Sequence, residues 1–222
     1  MTHTSKTVAI SRQRGSGGSY IGRQIADRLN LRYIDRQMLR EASEYLRQHD
    51  PDEKIEPNAS WWARLGHTLA LGAPEAGYVA SSSDASYEGE LFEIEKRIIQ
   101  RIVEGQIAAE PTVIVGRGAA QTLRGRTCVL SVFLHAPEAW RIDRAKQVHS
   151  LADTNAAAKM VRDSDRERSR FIRAVAGLDW TDADVYDVTL DTCALGFEAV
   201  IDVIVRAADA RFERRLLGDI ER

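Results

Sequence analysis

The stretch TVAISRQRGSGGS, Thr7 to Ser19, decides between folds. Thr7 to Ser11 is a short β-branched run, the pattern of a strand buried on both faces. Arg14-Gly15-Ser16-Gly17-Gly18-Ser19 then makes a glycine-rich turn. Beyond it Ile21, Ile25 and Leu29 recur at i, i+4 and i+8 with Ala26 beside them, the inward stripe of a helix that Asn30 ends. Strand, glycine turn and helix in that order open a parallel α/β sheet.

The pattern continues outward. Leu31 to Ile34 reads as a second strand ending at Asp35, and residues 36–47 as a helix. Residues 48–87 change character, broken by Pro51, Pro57, Gly72, Pro74, Gly77 and Ser81-Ser82-Ser83. Trp61-Trp62 with Leu65, Leu69 and Leu71 suggests a short apolar helix inside that segment, read as a mobile or partner-facing insertion. Helical period returns from Glu88 through Leu91, Ile94, Ile98 and Ile102. Thr112–Val115, Val129–Leu134 and Asp187–Leu190 read as further strands. Helices are expected from Pro137, over 153–174 and over 196–217. The whole is expected to be one domain, 1–222, with an insertion over about 48–90 and a lid over about 153–177.

Composition narrows the function. The chain has 222 residues, 44% hydrophobic, with 31 basic against 33 acidic residues and a formal charge of −2. A bulk-charge nucleic-acid binder is not expected, and no apolar run suits a membrane span. MTHTSKTVAIS, residues 1–11, lacks a secretory signal, and Cys128 and Cys193 have no metal-ligand spacing, so a reduced cytoplasmic protein is expected. Only Lys6, Lys54, Lys96, Lys146 and Lys159 are lysines; every other basic residue is arginine, whose planar fork suits phosphates.

In a parallel sheet, ligands bind beyond the carboxyl ends of the strands. The glycine turn, Asp35 and Gly116-Arg117-Gly118 all fall there. A Gly-Ser-Gly-Gly turn before a helix can wrap an anion with its amides, or serve as an ordinary tight turn. The dinucleotide fingerprint is only loosely met, since Tyr20 stands at its last glycine. The phosphate-loop pattern G-x-x-x-x-G-K-[ST] is not met either. With Gly17 as its second glycine, Gly18 takes the lysine position and Ser19 the magnesium-binding hydroxyl position. Arg12, Arg14 and Arg23 are near enough to supply a substitute cation. Farther on, Arg166, Arg170 and Arg173 fall at i, i+4 and i+7 on one helix face. That stripe fits a lid delivering positive charge to a moving phosphoryl group, or a solvated face laced with ion pairs. Asp35 fits either a proton acceptor or a helix cap. The five histidines show no ligand spacing.

The ordered set ISRQRGSGGSYIGRQIADRL, YIDRQML, IVGRGA, VFLHAPEAWRIDR, DSDRERSRFIR, DW and YDVTLDT resembles the cytidylate kinase-like family, a branch of the P-loop nucleoside monophosphate kinases. The resemblance implies a three-layer α/β/α P-loop kinase with a five-stranded parallel sheet in the order 2-3-1-4-5. It implies ATP and Mg2+ as cofactors and CMP or dCMP as the first-guess acceptor. Gly15, Ser16, Gly17, Gly18 and Ser19, with Arg12 and Arg14, would hold the donor phosphates, and Ser19 the metal. Asp35 would be the acid beside the acceptor, and Arg40 and Arg117 would contact its monophosphate. Gly118 replaces an aspartate of the family's G-R-D motif. Arg166, Glu167 and Arg170 fall on the lid pattern D-R-D-x-x-R, with Glu167 in place of the second aspartate; the arginines would be catalytic and Glu167 would face the acceptor. The expected partners are a nucleotide and a small phosphate acceptor, with neither nucleic acid nor membrane, and the 48–90 segment is the candidate homo-oligomer surface. A catalytically weak nucleotide-binding regulator is the competing reading.

Overall fold

The structure is a computed structural model that describes residues 5–40, 85–104 and 111–218. Its strands are β1 (Thr7–Arg12), β2 (Arg32–Asp35), β3 (Thr112–Val115), β4 (Val129–His135) and β5 (Val188–Asp191). They form one parallel sheet in the order β2-β3-β1-β4-β5, the order the resemblance implies. Ile10 and Asp35 both lie opposite Val115, and Arg12 lies opposite Leu134. This register brings the carboxyl ends of β1, β2, β3 and β4 to one edge.

Helices α1 (Gly18–Leu29), α2 (Ala85–Val103), α3 (Ala119–Thr122), α4 (Glu138–Val148), α5 (Thr154–Ala176), α6 (Thr192–Leu195) and α7 (Phe197–Gly218) accompany the sheet, and residues 36–40 open a further helical segment. Side chains alternate across a strand, so β1 serves two cores. Val8 and Ile10 pack with Ile21 and Ile25 of α1 and with Val200, Ile201 and Ile204 of α7. Ala9 faces the other layer, with Ile94, Ile98, Ile99 and Ile102 of α2 and with Trp180 and Tyr186. Each fully buried isoleucine contributes roughly 1.5–3 kcal/mol of transfer free energy.

Local chemistry explains where element ends differ from the sequence reading. Asn30 ends α1 in the left-handed conformation, as expected. The carboxylate of Asp187 accepts hydrogen bonds from Ser131 N (2.8 Å) and Oγ (2.7 Å), so β5 begins one residue later, at Val188. The last helix, α7, begins at Phe197, one residue later than expected, and Gly196, at φ 74°, separates it from the short α6, which the sequence reading did not include. Asp153 caps α5, accepting from Asn155 N and Ala156 N, and Gly177 closes it in the left-handed region. The expected apolar helix around Trp61-Trp62 lies outside the described residues, as does the rest of 41–84. Among the described residues no helix is long and apolar enough to cross a membrane. Neither Cys128, which is buried, nor Cys193, which is exposed, is in a disulfide.

Candidate active site

The turn after β1 is held from three sides. Gln13 N donates to Leu134 O (2.9 Å), and Gln13 Oε1 accepts from Ala136 N, which fixes the turn to the end of β4. Ser16 closes it, donating from Oγ to Gln13 O at 2.9 Å. Gly15 and Gly17 have φ near +86° and +84°, a region that L side chains rarely adopt. A Cβ at Gly15 would lie 2.7 Å from the Arg141 carbonyl, and one at Gly17 would lie 2.6 Å from the Phe197 ring. Glycine at these positions therefore lets the turn lie close against Arg141 and Phe197 and lead straight into α1, a geometry that suits an anion at the helix amino end.

Two side chains brace the cradle. Arg141, 5% exposed, donates from Nε to Ala136 O (2.9 Å) and from Nη1 to Arg14 O (3.1 Å). It also pairs with Asp165 of α5. Asp165 Oδ1 accepts from Arg14 N (2.8 Å) and from Arg168 Nη1 (3.2 Å). One carboxylate thus ties the polar helix to the glycine turn. Both residues lie inside the motifs quoted above, but the sequence reading gave neither of them a role.

Beside the turn a cavity opens between the ends of β1 and β3 and helix α5. Arg12, Arg36, Arg117, Glu167 and Arg168 line its polar side, and Phe171, Ile172 and Trp180 its apolar side. Trp180 is held by an edge contact to Phe133 at 5.5 Å and by Tyr186, whose O–H donates to the Trp180 carbonyl. Glu167 Oε2 is buried there without a hydrogen-bond partner. Burial, and then the positive charges of Arg12, Arg14 and Arg36, push the Arg168 guanidinium down to about 9, against the pull of Asp165. Arg168 stays charged at neutral pH, and an anion in the cavity would relieve the crowding.

The expected site residues do not all converge. Gly15 to Gly18 and Arg12 do come together, and Ser19 is the second residue of α1 beside them. Arg14 gives its amide to Asp165, but its guanidinium turns to His149 Nε2 at 2.7 Å. Asp35 Oδ1 accepts from Gln37 N (3.0 Å) and Met38 N (3.2 Å), which is the helix-cap role. Arg36 lines the cavity, whereas Arg40 is half-buried at the end of the described segment. Arg117 lines the cavity but is neutralised by Glu95 and stacks over Phe171 at 5.3 Å.

Arg166 and Arg170, expected on the lid, lie outside the cavity in this structure. Both are exposed, and Arg166 pairs with Asp163 at 3.3 Å. Arg168 takes the inward place instead. Ala157, Val161, Ser164 and Ile172 are the buried residues of α5, and Arg168 continues their helical row at four residues from Ser164 and from Ile172. That apolar row was the signal that would have found it; arginine spacing alone points to the outer face.

Solved structures share this architecture. An uncharacterized protein from Eubacterium ventriosum superposes with a TM-score of 0.68 at 17% identity, over 91% of this chain and 98% of that one. The shikimate kinase of Bacteroides thetaiotaomicron gives a TM-score of 0.50 at 15% identity, again over 91% and 98%. These likenesses establish a P-loop kinase fold. No curated protein sequence matches the chain. The sequence profile of the cytidylate kinase-like family matches residues 7–194, and the chain belongs to that family.

Proposed function

We propose that the protein is a nucleoside monophosphate kinase-like phosphotransferase that moves the γ-phosphoryl group of ATP to a phosphorylated small-molecule acceptor, with CMP or dCMP tested first. The observation that carries this reading is the glycine turn at the amino end of α1, beside a cavity into which Arg12, Arg36 and Arg168 bring positive charge. The turn fits a polyphosphate because glycine lets it pack against Arg141, Phe197 and the Arg12 stem while its amides lie at the amino end of α1. Among the described residues no group of three acidic, histidine or cysteine side chains could hold a metal. Magnesium would therefore arrive on the nucleotide, with Ser19 offering its hydroxyl, and would shield charge between phosphate oxygens.

In this reading the donor lies on Gly15 to Ser19 and the acceptor in the cavity, between Asp35, Arg40, Arg117 and Glu167. Asp35 uses Oδ1 as a helix cap and would turn Oδ2 toward the acceptor. An acceptor phosphate oxygen attacks the γ-phosphorus in line; the new O–P bond forms as the bond to the β-phosphate oxygen breaks, and ADP leaves. Arg168 is already inward, and closure of α5 as a lid over 153–177 would bring Arg166 and Arg170 in. Positioning and charge stabilisation supply the catalysis, without a covalent intermediate. A single domain with an inserted 48–90 segment and a cytoplasmic setting belong to the same proposal.

The competing reading is a nucleotide-binding regulator. It is favoured by the neutralisation of Arg117 by Glu95 and by the missing lysine. A coupled assay with ATP–magnesium, a panel of nucleoside monophosphates and shikimate separates the two. Turnover on one acceptor supports the enzyme; ATP binding with no turnover on any acceptor supports the regulator.

A further inference from the structure

The register that leaves Gly18 at the lysine position has a second consequence. It puts Arg12, the last residue of β1, where the motif has its first glycine. The loop thus exchanges residue types at its two ends, with a cation where glycine is usual and glycine where the cation is usual.

The geometry shows why the two changes belong together. A Cβ at Gly18 would lie 2.6 Å from Arg12 Cγ, 2.9 Å from its Cβ and 3.3 Å from its Cδ. The arginine stem therefore runs directly over the Gly18 backbone. Its guanidinium continues to the end of β3, where a Cβ on Gly116 would lie 1.9 Å from Nη1. Gly116 has a φ near +89°, and it precedes Arg117 on the cavity rim. The Arg12 charge consequently stands at the junction of the glycine cradle and the cavity.

Arg36 and Arg168 line the same cavity, and three further cations near the loop make contacts of their own. Arg14 reaches His149. Arg23 lies over the Tyr33 ring at 5.2 Å. Arg141 is bound by Ala136 O, Arg14 O and Asp165. We infer that Arg12 supplies, from the opposite end of the loop, the positive charge at the transferring phosphoryl group that a lysine at position 18 would supply, and that Gly18 is glycine because Arg12 crosses it. This rests on the phosphotransferase reading and names the residue that compensates its missing lysine. A guanidinium also offers two parallel donors to a phosphate, where an ammonium acts as a point charge.

Four forms of the full chain test it: wild type, Arg12→Ala, Gly18→Lys and the double exchange Arg12→Gly/Gly18→Lys. Calorimetric binding of inorganic tripolyphosphate is read beside turnover, with thermal melts to confirm folding. Arg12→Ala is expected to weaken tripolyphosphate at least tenfold and to lower kcat about 10²–10³-fold. Gly18→Lys alone is expected to impair binding, because its stem collides with Arg12. In the double exchange the same lysine is expected to restore binding above the Arg12→Ala level. A purely structural arginine would not be rescued by a lysine six positions away. Unchanged tripolyphosphate affinity in folded Arg12→Ala overturns the inference while leaving the phosphotransferase reading intact. Absence of turnover in wild type, with tripolyphosphate still bound through Arg12, overturns the enzyme reading and keeps the charge exchange. Failure of wild type to bind tripolyphosphate overturns both.

Discussion

Replacing Glu95 by alanine removes the counter-charge that, among the described residues, pairs with Arg117. Glu95 is fully buried and the Arg117 side chain is 7% exposed, so the guanidinium would be left charged in a space with little water. Arg117 Nε donates to Glu95 Oε2 at 2.5 Å, and Nη2 reaches the same oxygen. Breaking a buried ion pair from one side costs about 3–5 kcal/mol, because desolvation of the survivor is no longer offset. In a chain of this size each kcal/mol moves Tm by roughly 2–4 °C. Glu95→Ala should therefore lower Tm by about 6–20 °C in calorimetry, and urea unfolding should show a shifted midpoint with an unchanged slope. Glu95→Leu/Arg117→Met, which removes both charges, should recover most of the loss. Because Glu95 also fixes the arginine on the cavity rim, the acceptor KM should rise more than the ATP KM. A Tm within 2 °C of wild type for Glu95→Ala, or a double variant less stable than the single one, would refute the reasoning.

Other outcomes follow from the same contacts. Arg168→Met should raise the Tm of the ligand-free protein by about 2–4 °C, the equivalent of roughly 1 kcal/mol, while weakening tripolyphosphate binding. The Arg168 group is held down at about 9 in the folded state against 12.5 when unfolded. Above pH 9 the unfolded chain binds the extra proton, so wild-type stability gains from this group as pH rises. Urea melts at pH 7.5 and pH 10 should show the gap between wild type and Arg168→Met narrowing at the higher pH; a constant gap contradicts the assignment. Gly116→Ala should reduce turnover through displacement of the Arg12 guanidinium, and Arg12→Ala should remove most of the further effect of that substitution in a double-mutant cycle. Asp165→Ala takes an acceptor from Arg14 N, Arg141 and Arg168 together, so amide exchange at residues 13–18 should quicken while exchange in β4 stays slow.

The sheet was legible because buried parallel strands are short apolar runs, and TVAIS, TVIV and VLSVFL have no other simple reading. Helix α1 was legible from Ile21 and Ile25, which do face the core. The order of the strands came through resemblance, since periodicity does not choose between topologies. The site was only half legible. Gly15 to Gly18 announce themselves, because backbone conformation and close approach both demand glycine there. Arg168 did not, because charge spacing on α5 picks out Arg166 and Arg170, while Ala157, Val161 and Ile172 settle which face is buried. Asp165 and Arg141 were hidden for another reason. Their role is to brace the turn from elements more than a hundred residues away, and local sequence carries no record of that meeting. Asp35 left two roles open, and the cap geometry at Gln37 and Met38 shows the one visible without a ligand.

The central claim is that the backbone amides after β1 hold a polyphosphate. Amide chemical shifts recorded while ATP–magnesium is titrated into the full chain test it most directly. The account predicts saturable changes largest at Gly15 to Ser19, reproduced by inorganic tripolyphosphate and weakened by salt. Saturation with those five amides unmoved, or with the largest changes on a surface away from the turn, would contradict it.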